Sequence, residues 1–322
     1  MKKLLFLPFS LFVVISVLIG SEKTLKVGLI GLDTSHAPAF TKLLNDPTAE
    51  EYVPGAKVVA AYAGGSPDVE ASYTRVEKYT DQIRDQYGVR IVGSIEELLK
   101  EVDAVILTSV DGRVHLAQVR PVIEAGKPVF IDKPMAASLK DVYTIFALAR
   151  EKGVPCWSAS SLRFYPELQA ALKDTSLGKI LGCEAYSPAK LEPHHPDLFW
   201  YGIHGVEILF TIMGPAIEKV SRVYTEDADL VSGVWQDGRL ASFRGSRQGK
   251  GRYGALIYYE KGIRLVEPGK GSLYKPLVEE IIQFFNSGRS PVDAAETIAI
   301  FKFMDAAQQS KKLNGRAVSV NE

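Results

Sequence analysis

Cysteine is scarce in this chain: Cys156 and Cys183 are the only two among 322 residues. At most one disulfide is available, so a disulfide-stapled fold is excluded. Their contexts, a buried strand and a strand edge, suit two unpaired thiols at least as well. An excess of either charge is also missing. Lysine plus arginine number 38, aspartate plus glutamate 38, and the formal net charge is zero. Without a basic excess to neutralise phosphates there is no electrostatic case for nucleic acid. Internal repeats and low-complexity segments are absent. One long apolar run occurs, over residues 4–19, interrupted by Pro8 and Ser10. Lys2 and Lys3 precede it and the small residues Gly20 and Ser21 follow, the layout of a secretory signal peptide over residues 1–21. The rival reading is an uncleaved anchor, for which the run is slightly short. No cysteine follows to carry a lipid, and no twin-arginine pair stands ahead of it. The expectation is an exported protein, periplasmic or secreted, with no stable membrane span after cleavage.

The remaining composition is ordinary. Hydrophobic residues make up 46% of the chain, as in soluble globular proteins, and the length suggests two domains of roughly 150 residues each. From residue 25 to about 150, apolar runs alternate with helical patterns. Strands are expected at 27–32, 57–63, 89–92, 103–108 and 128–131. Helices are expected at 37–44, 69–87, 95–100, 114–124 and 139–151, with Ser94 capping the third and Glu97 at its capping-box position. This alternation predicts an α/β fold with a doubly wound parallel sheet. From 151 to 322 the character changes. A strand at 154–158 and a helix at 166–173 lead into strand-like runs between 179 and 266, interrupted by a helix at 205–213. Two helices, 277–286 and 294–311, close the chain. An α+β domain with a largely antiparallel open sheet is expected, its last helices free to pack back on the first domain.

The first strand runs into Gly31-Leu32-Asp33-Thr34-Ser35-His36. A dinucleotide-binding turn reads G-x-G-x-x-G, the glycines letting the backbone approach a pyrophosphate at a helix N-terminus. Here Asp33 stands at the second glycine and His36 at the third, and a carboxylate at the closest-approach position faces an anionic ligand. Thr34, Ser35 and the backbone N–H groups still suit phosphate; the plainer reading makes Asp33 a helix cap. The second strand ends in Tyr62-Ala63-Gly64-Gly65-Ser66, without the acid that grips the ribose 2′-OH in NAD binders. That gap leans towards NADP, although Arg75 is too distant in sequence to count as a 2′-phosphate partner.

Residues 102–139 carry a more specific pattern: a strand ending at Ser109, His115 one turn into the next helix, Ala125-Gly126-Lys127-x-Val129, then Asp132-Lys133-Pro134. Arg163-Phe164-Tyr165-Pro166 and Gly202-Ile203-His204 follow. In order and spacing these resemble the glucose–fructose oxidoreductase / inositol dehydrogenase / MocA (Gfo/Idh/MocA) family across nearly all of the mature chain. The resemblance implies a Rossmann domain, a second domain whose sheet faces the cofactor, and NAD(P)-dependent chemistry on sugars, cyclitols or related polyols. It implies a homodimer or homotetramer formed through the second sheet. It also implies cofactor contacts from Gly31, Asp33, Thr34, Ser35, His36, Ser109, His115 and Lys133.

Lys133 follows a buried strand at the carboxyl end of the sheet, where ligands of open α/β folds bind. A cation or acid there stabilises the alkoxide that develops when hydride leaves or joins C–OH, and a lysine can shuttle the proton; the plainer reading is a solvated lysine in a turn. Asp132 replaces the family's glutamate and is expected to orient Lys133. His204 is the leading general base. The family's carboxylate four residues earlier is replaced by Trp200, so Asp197 or Glu207 is the expected substitute partner. Substrate contacts are expected from Arg163, His194, His195, Asp197, Trp200 and Tyr201. A metal at the histidine cluster is the weaker reading, since adjacent His194 and His195 would point apart on a strand, and no metal is assigned.

The leading reading is an exported NAD(P)-dependent oxidoreductase of a sugar, cyclitol or sugar derivative. Export makes a dissociable cofactor hard to supply, so a tightly bound cofactor, or none, stays open. The alternatives are a redox-neutral glycoside hydrolase, lyase or epimerase on the same fold, and a non-catalytic sugar-binding protein.

Overall fold

The computed structural model describes residues 24–320, so the signal peptide expected over residues 1–21 lies outside the described residues. The first apolar run forms β1 (Leu25–Ile30), whose last four residues are buried. There follow α1 (His36–Asn45), β2 (Ala56–Tyr62), α2 (Glu70–Tyr73), α3 (Val76–Tyr87), β3 (Arg90–Val92), α4 (Ile95–Leu99), β4 (Ala104–Leu107), α5 (His115–Glu124), β5 (Val129–Asp132), α6 (Leu139–Lys152) and β6 (Cys156–Ala159). The six strands pair in parallel in the order β3-β2-β1-β4-β5-β6. A continuous apolar strand such as Ala-Val-Ile-Leu at β4 demands cover on both faces. One face packs Phe40, Leu44 and Ile83 of α1 and α3; the other packs Leu98, Val119 and Ile145 of α4, α5 and α6. The strand order reverses between β1 and β4, which opens a crevice at their carboxyl ends.

The second domain begins with α7 (Pro166–Lys173) and β7 (Ile180–Pro188). It continues with α8 (Ile203–Met213), β8 (Ile217–Tyr224), β9 (Ala228–Trp235), β10 (Leu240–Ser246), β11 (Gly254–Tyr259) and β12 (Gly262–Val266). The chain closes with α9 (Lys275–Ser287), α10 (Ala294–Lys312) and β13 (Val318–Ser319). The sheet order is β12-β11-β7-β10-β9-β8-β13. Its pairs are antiparallel except β7–β10, which run parallel. Helix α8 lies against β7 and β10. A Cβ at Gly205 would come 2.3 Å from Phe243 Cε2, so the missing side chain sets how closely the helix approaches. Helix α9 returns to the first domain: Leu277, Ile281 and Phe284 share a core with Leu29, Phe40 and Trp157.

The continuous helix expected over 69–87 is two helices, broken at Thr74–Arg75. The capping box also closes one residue upstream: Ser94 Oγ accepts the Glu97 N–H, while Glu97 Oε2 accepts the Gly93 N–H. Cys156 and Cys183 are both free thiols; burial pushes each up to about 12.

Candidate active site

The carboxyl edge of β5, the start of α1 and the start of α8 converge on one cavity of about 400 Å³. Thr34 and Ser35 enter from the turn before α1 and His36 from its first residue, Lys133 from the segment just after β5, Trp200 and Tyr201 from the turn leading into α8, and His204 from the first turn of α8. That turn is π-helical, Leu198–Gly202, and it swings Trp200 and Tyr201 towards the cavity ahead of His204.

Lys133 is 8% exposed, which rules out a solvated turn lysine. Its Nζ has no hydrogen-bond or ion-pair partner among the described residues; the Tyr201 ring centroid is 6.0 Å away. The Lys133–Pro134 peptide is cis. Asp132 does not orient the Lys133 side chain. Its Oδ1 accepts the Lys133 backbone N–H at 2.9 Å, and its Oδ2 pairs with His36 Nδ1 at 2.5 Å. Burial pushes the Asp132 carboxyl up, but His36 and then Lys133 outweigh it and hold it below the usual carboxylate range. The His36 ring is fixed on its other side by Tyr274, edge-on at 4.8 Å.

His204 is buried, and its Nδ1 lies 2.8 Å from Ser160 Oγ. Neither Asp197 nor Glu207 is its partner. Ser160 Oγ already accepts the Leu162 N–H, and its second lone pair can accept Nδ1–H, which leaves Nε2 able to take a proton. Burial, then the charges of Lys133 and His36, holds His204 well below the usual histidine range, so the ring is neutral. Tyr201 and Tyr253 flank it edge-on, and their hydroxyls are 3.0 Å apart.

Asp33 turns away from the cavity. Its Oδ2 accepts from Ser72 Oγ at 2.6 Å and its Oδ1 from the Val110 N–H at 2.9 Å. Burial raises its carboxyl above the usual range despite those bonds. Gly31 has φ +89° and packs against the backbone of Ser109, where a Cβ would sit 2.3 Å from the Ser109 nitrogen. Ser109 Oγ donates to Gln118 Oε1 at 2.8 Å. His115 is fully buried, with Nε2 at 2.8 Å from Ser109 O and Nδ1 at 3.2 Å from Met135 O. Ser109 and His115 therefore brace the loops beneath the site and do not line the cavity.

Most of the expected substrate residues lie elsewhere. Arg163 is buried and forks between Glu207 Oε2, at 2.8 Å, and Glu296. Asp197 caps the π-helical turn and binds Arg222 and Lys311 at 2.9 and 3.0 Å. His194 is exposed and bonded to Glu192. His195 is buried against Trp200, and neither ring nitrogen has a hydrogen-bond partner among the described residues. Only Trp200 and Tyr201 of that group line the cavity. No group of three or more metal-ligating side chains occurs among the described residues. Sequence reasoning missed Ser160, Tyr253, Tyr274 and Lys190, and it discounted Arg75, which lines the cavity next to Ala71. Arg75 stands at the break between α2 and α3.

The fit of a dinucleotide divides in two. From the pyrophosphate to the nicotinamide, the tight turn at Gly31 and the α1 N-terminus suit the phosphates and Lys133 suits the reacting end. At the adenosine end the residues do not. That half would lie at the end of β2, between the segments following β2 and β4. There Ser66 Oγ donates to Asp111 Oδ2 at 2.7 Å, and Arg113 holds Asp68 at 2.8 and 2.9 Å and Asp111 at 2.7 Å. Gln118 Nε2 packs over Gly64. These bonds join the two segments directly across the place where the adenosine would lie.

Residues 25–160 match the family model described as GFO_IDH_MocA, an oxidoreductase family with an NAD-binding Rossmann fold. The chain is similar to an inositol 2-dehydrogenase of Cereibacter sphaeroides, 31% identical over 155 residues, covering 47% of this chain and 41% of that enzyme. The chain thus matches under half the length of that relative. A D-xylose 1-dehydrogenase (NADP(+)) of Haloferax volcanii is 23% identical over 82% of this chain and 95% of its own length. Among solved structures, the myo-inositol dehydrogenase of Lactobacillus casei in complex with NAD(H) and myo-inositol superposes with a TM-score of 0.74 at 18% identity. That superposition covers 93% of this chain and 98% of the other. The apo scyllo-inositol dehydrogenase of the same organism gives 0.77 at 16% identity over 94% of this chain and 100% of its own. At these identities the likeness is one of fold.

Proposed function

We propose that this chain, whose residues 25–160 match the Gfo/Idh/MocA oxidoreductase family model, is a member of that family that oxidises or reduces a hydroxyl carbon of a sugar, cyclitol or sugar derivative. The observation that carries the reading is the meeting of Lys133 and His204 in one cavity at the carboxyl edge of the parallel sheet. A neutral His204, oriented by Ser160, takes the proton of the reacting hydroxyl on Nε2. The Lys133 ammonium, buried and without a counter-ion, stabilises the alkoxide oxygen as that proton leaves. When bound, a nicotinamide supplies the hydride acceptor. Aromatic faces at Trp200 and Tyr201 suit a sugar ring. The proposal includes export, resting on residues 1–21. It also includes assembly through the second sheet, supported by Val223, Leu230, Leu240, Ile263 and Leu265, which leave an exposed apolar surface there.

The Ser66–Asp111 and Asp68–Arg113 bridges favour a second reading. In it the same acid–base pair acts in a redox-neutral lyase, hydrolase or epimerase whose cofactor is retained or absent. One experiment separates the two. The purified protein is denatured and released nicotinamide is measured, and sugars and cyclitols are screened with added NAD or NADP. Turnover that consumes added cofactor supports the oxidoreductase. Product formation with no net change in nicotinamide redox state supports the second reading.

A further inference from the structure

We propose that the substrate of this cavity is a sugar acid, its carboxylate held by Arg75 and Lys190 while a ring hydroxyl faces Lys133 and His204. The inference rests on the placement of Lys133 and His204 at the reacting centre and adds the charge of what they act on.

The cavity is lined by three cations, Arg75, Lys133 and Lys190, and no aspartate or glutamate is among its lining residues. The Asp132 carboxylate, next to Lys133 in the chain, is 2% exposed, and its oxygens are taken by His36 Nδ1 and the Lys133 backbone N–H. Arg75 donates Nε to the Ala71 carbonyl, and its terminal nitrogens have no partner among the described residues. Lys190 forms no ion pair there either. An exposed lysine alone says little, because water solvates it. Lys133 is different: an ammonium more than nine-tenths buried, without a counter-ion, is costly unless something in the cavity completes it. With Asp132 paired to His36, the cavity lined by Arg75, Lys133 and Lys190 is cationic, and a cleft of one sign concentrates ligands of the other.

A pyrophosphate could supply the same charge. The bridges across the adenosine groove argue against an extended dinucleotide as its source. Arg75 comes from the first domain and Lys190 from the second, so a carboxylate between them would also tie the two domains together around the ligand. A guanidinium presents a fork that matches a carboxylate in two parallel hydrogen bonds. The aromatic walls at Trp200 and Tyr253 suit the apolar faces of a pyranose ring.

Calorimetric titration of the full mature protein tests this with D-glucuronate, D-galacturonate, D-glucose, myo-inositol, inorganic phosphate and NAD as separate probes, at low salt and with added sodium chloride. At least one uronate is expected to bind about tenfold or more tightly than its neutral sugar, with affinity falling as salt rises. Arg75→Gln and Lys190→Gln are each expected to lower that affinity several-fold with an unchanged circular dichroism spectrum. Equal binding of neutral sugar and uronate overturns the inference, as does the absence of uronate binding. If phosphate or NAD alone binds in an Arg75-dependent way, the cations serve a phosphate and the inference is overturned. The two proposals fail separately. A uronate that binds but is never turned over counts against the catalytic reading alone. A neutral polyol turned over in preference to every acid counts against this one alone.

Discussion

Asp33 and Ser72 are joined by a hydrogen bond of 2.6 Å, Oγ donating to Oδ2, and the same carboxylate takes the Val110 N–H. The residue at the second glycine position of the nucleotide turn therefore ties three segments together: the β1–α1 turn, α2 and the loop after β4. A feature that reads in sequence as damage to a phosphate loop is a brace within it.

Replacing Asp33 by asparagine tests that brace through its pH dependence. Burial raises the folded-state carboxyl above the ordinary aspartate value of 3.8. The Asp33 contribution is thus fully present below 3.8 and lost as pH rises through the raised folded value. Asparagine can still accept from Val110 N–H and bond Ser72. Asp33→Asn is expected to match or exceed the wild type in denaturant stability at pH 7, with its advantage shrinking as pH falls towards 4. A marked loss of stability at pH 7 would show that the ionised carboxylate is required.

The bridges across the adenosine groove make a population argument. If dinucleotide enters only when the Ser66–Asp111 and Asp68–Arg113 contacts open, apparent affinity is reduced by the fraction open. The double variant Ser66→Ala/Asp68→Ala should bind NAD about tenfold more tightly, given roughly 1 kcal/mol for a hydrogen bond and less for an exposed ion pair. Fluorescence titration measures it, and unchanged affinity would mean the groove is not gated there.

His195 offers a second pH test. Burial holds it down to about 4, against the ordinary histidine value of 6.5. A depressed histidine gives stability that is present above 6.5 and lost as pH falls through 4. His195→Phe removes two unpartnered buried nitrogens at similar volume. Between pH 7 and pH 4 the wild type should lose roughly 3 kcal/mol relative to this variant. Parallel stability curves would contradict the assignment.

Arg163 was expected at the substrate, and its buried pairing with Glu207 and Glu296 gives it a structural task. Arg163→Met strands two carboxylates in the interior and should cost about 3–5 kcal/mol of stability. A variant of wild-type stability with weakened substrate binding would return Arg163 to the substrate.

The sequence made the parallel sheet legible because strand and helix periods alternate cleanly through residues 25–150. Lys133 and His204 were legible because each ends or begins a recognisable element beside a short motif. The rest depended on contacts between distant segments. Ser160 lies far from His204 along the chain, and nothing local marks it as the partner. Arg75 was discounted by sequence distance, yet it stands at the break between α2 and α3 and lines the cavity. His194 and Asp197 looked promising as a cluster, but a loop sent one to solvent and an ion network claimed the other. Local pattern carries elements; pairings across the fold do not appear in it.

The central claim is that Lys133 stabilises the oxygen whose proton His204 accepts, and turnover by Lys133→Met measures it most directly, on whichever polyol or sugar acid the wild type converts. The account predicts a fall in kcat of about 10²–10⁴-fold, with circular dichroism and melting temperature unchanged. His204→Asn should show a comparable loss, and Ser160→Ala a smaller one of about tenfold. Undiminished kcat in folded Lys133→Met would contradict the account.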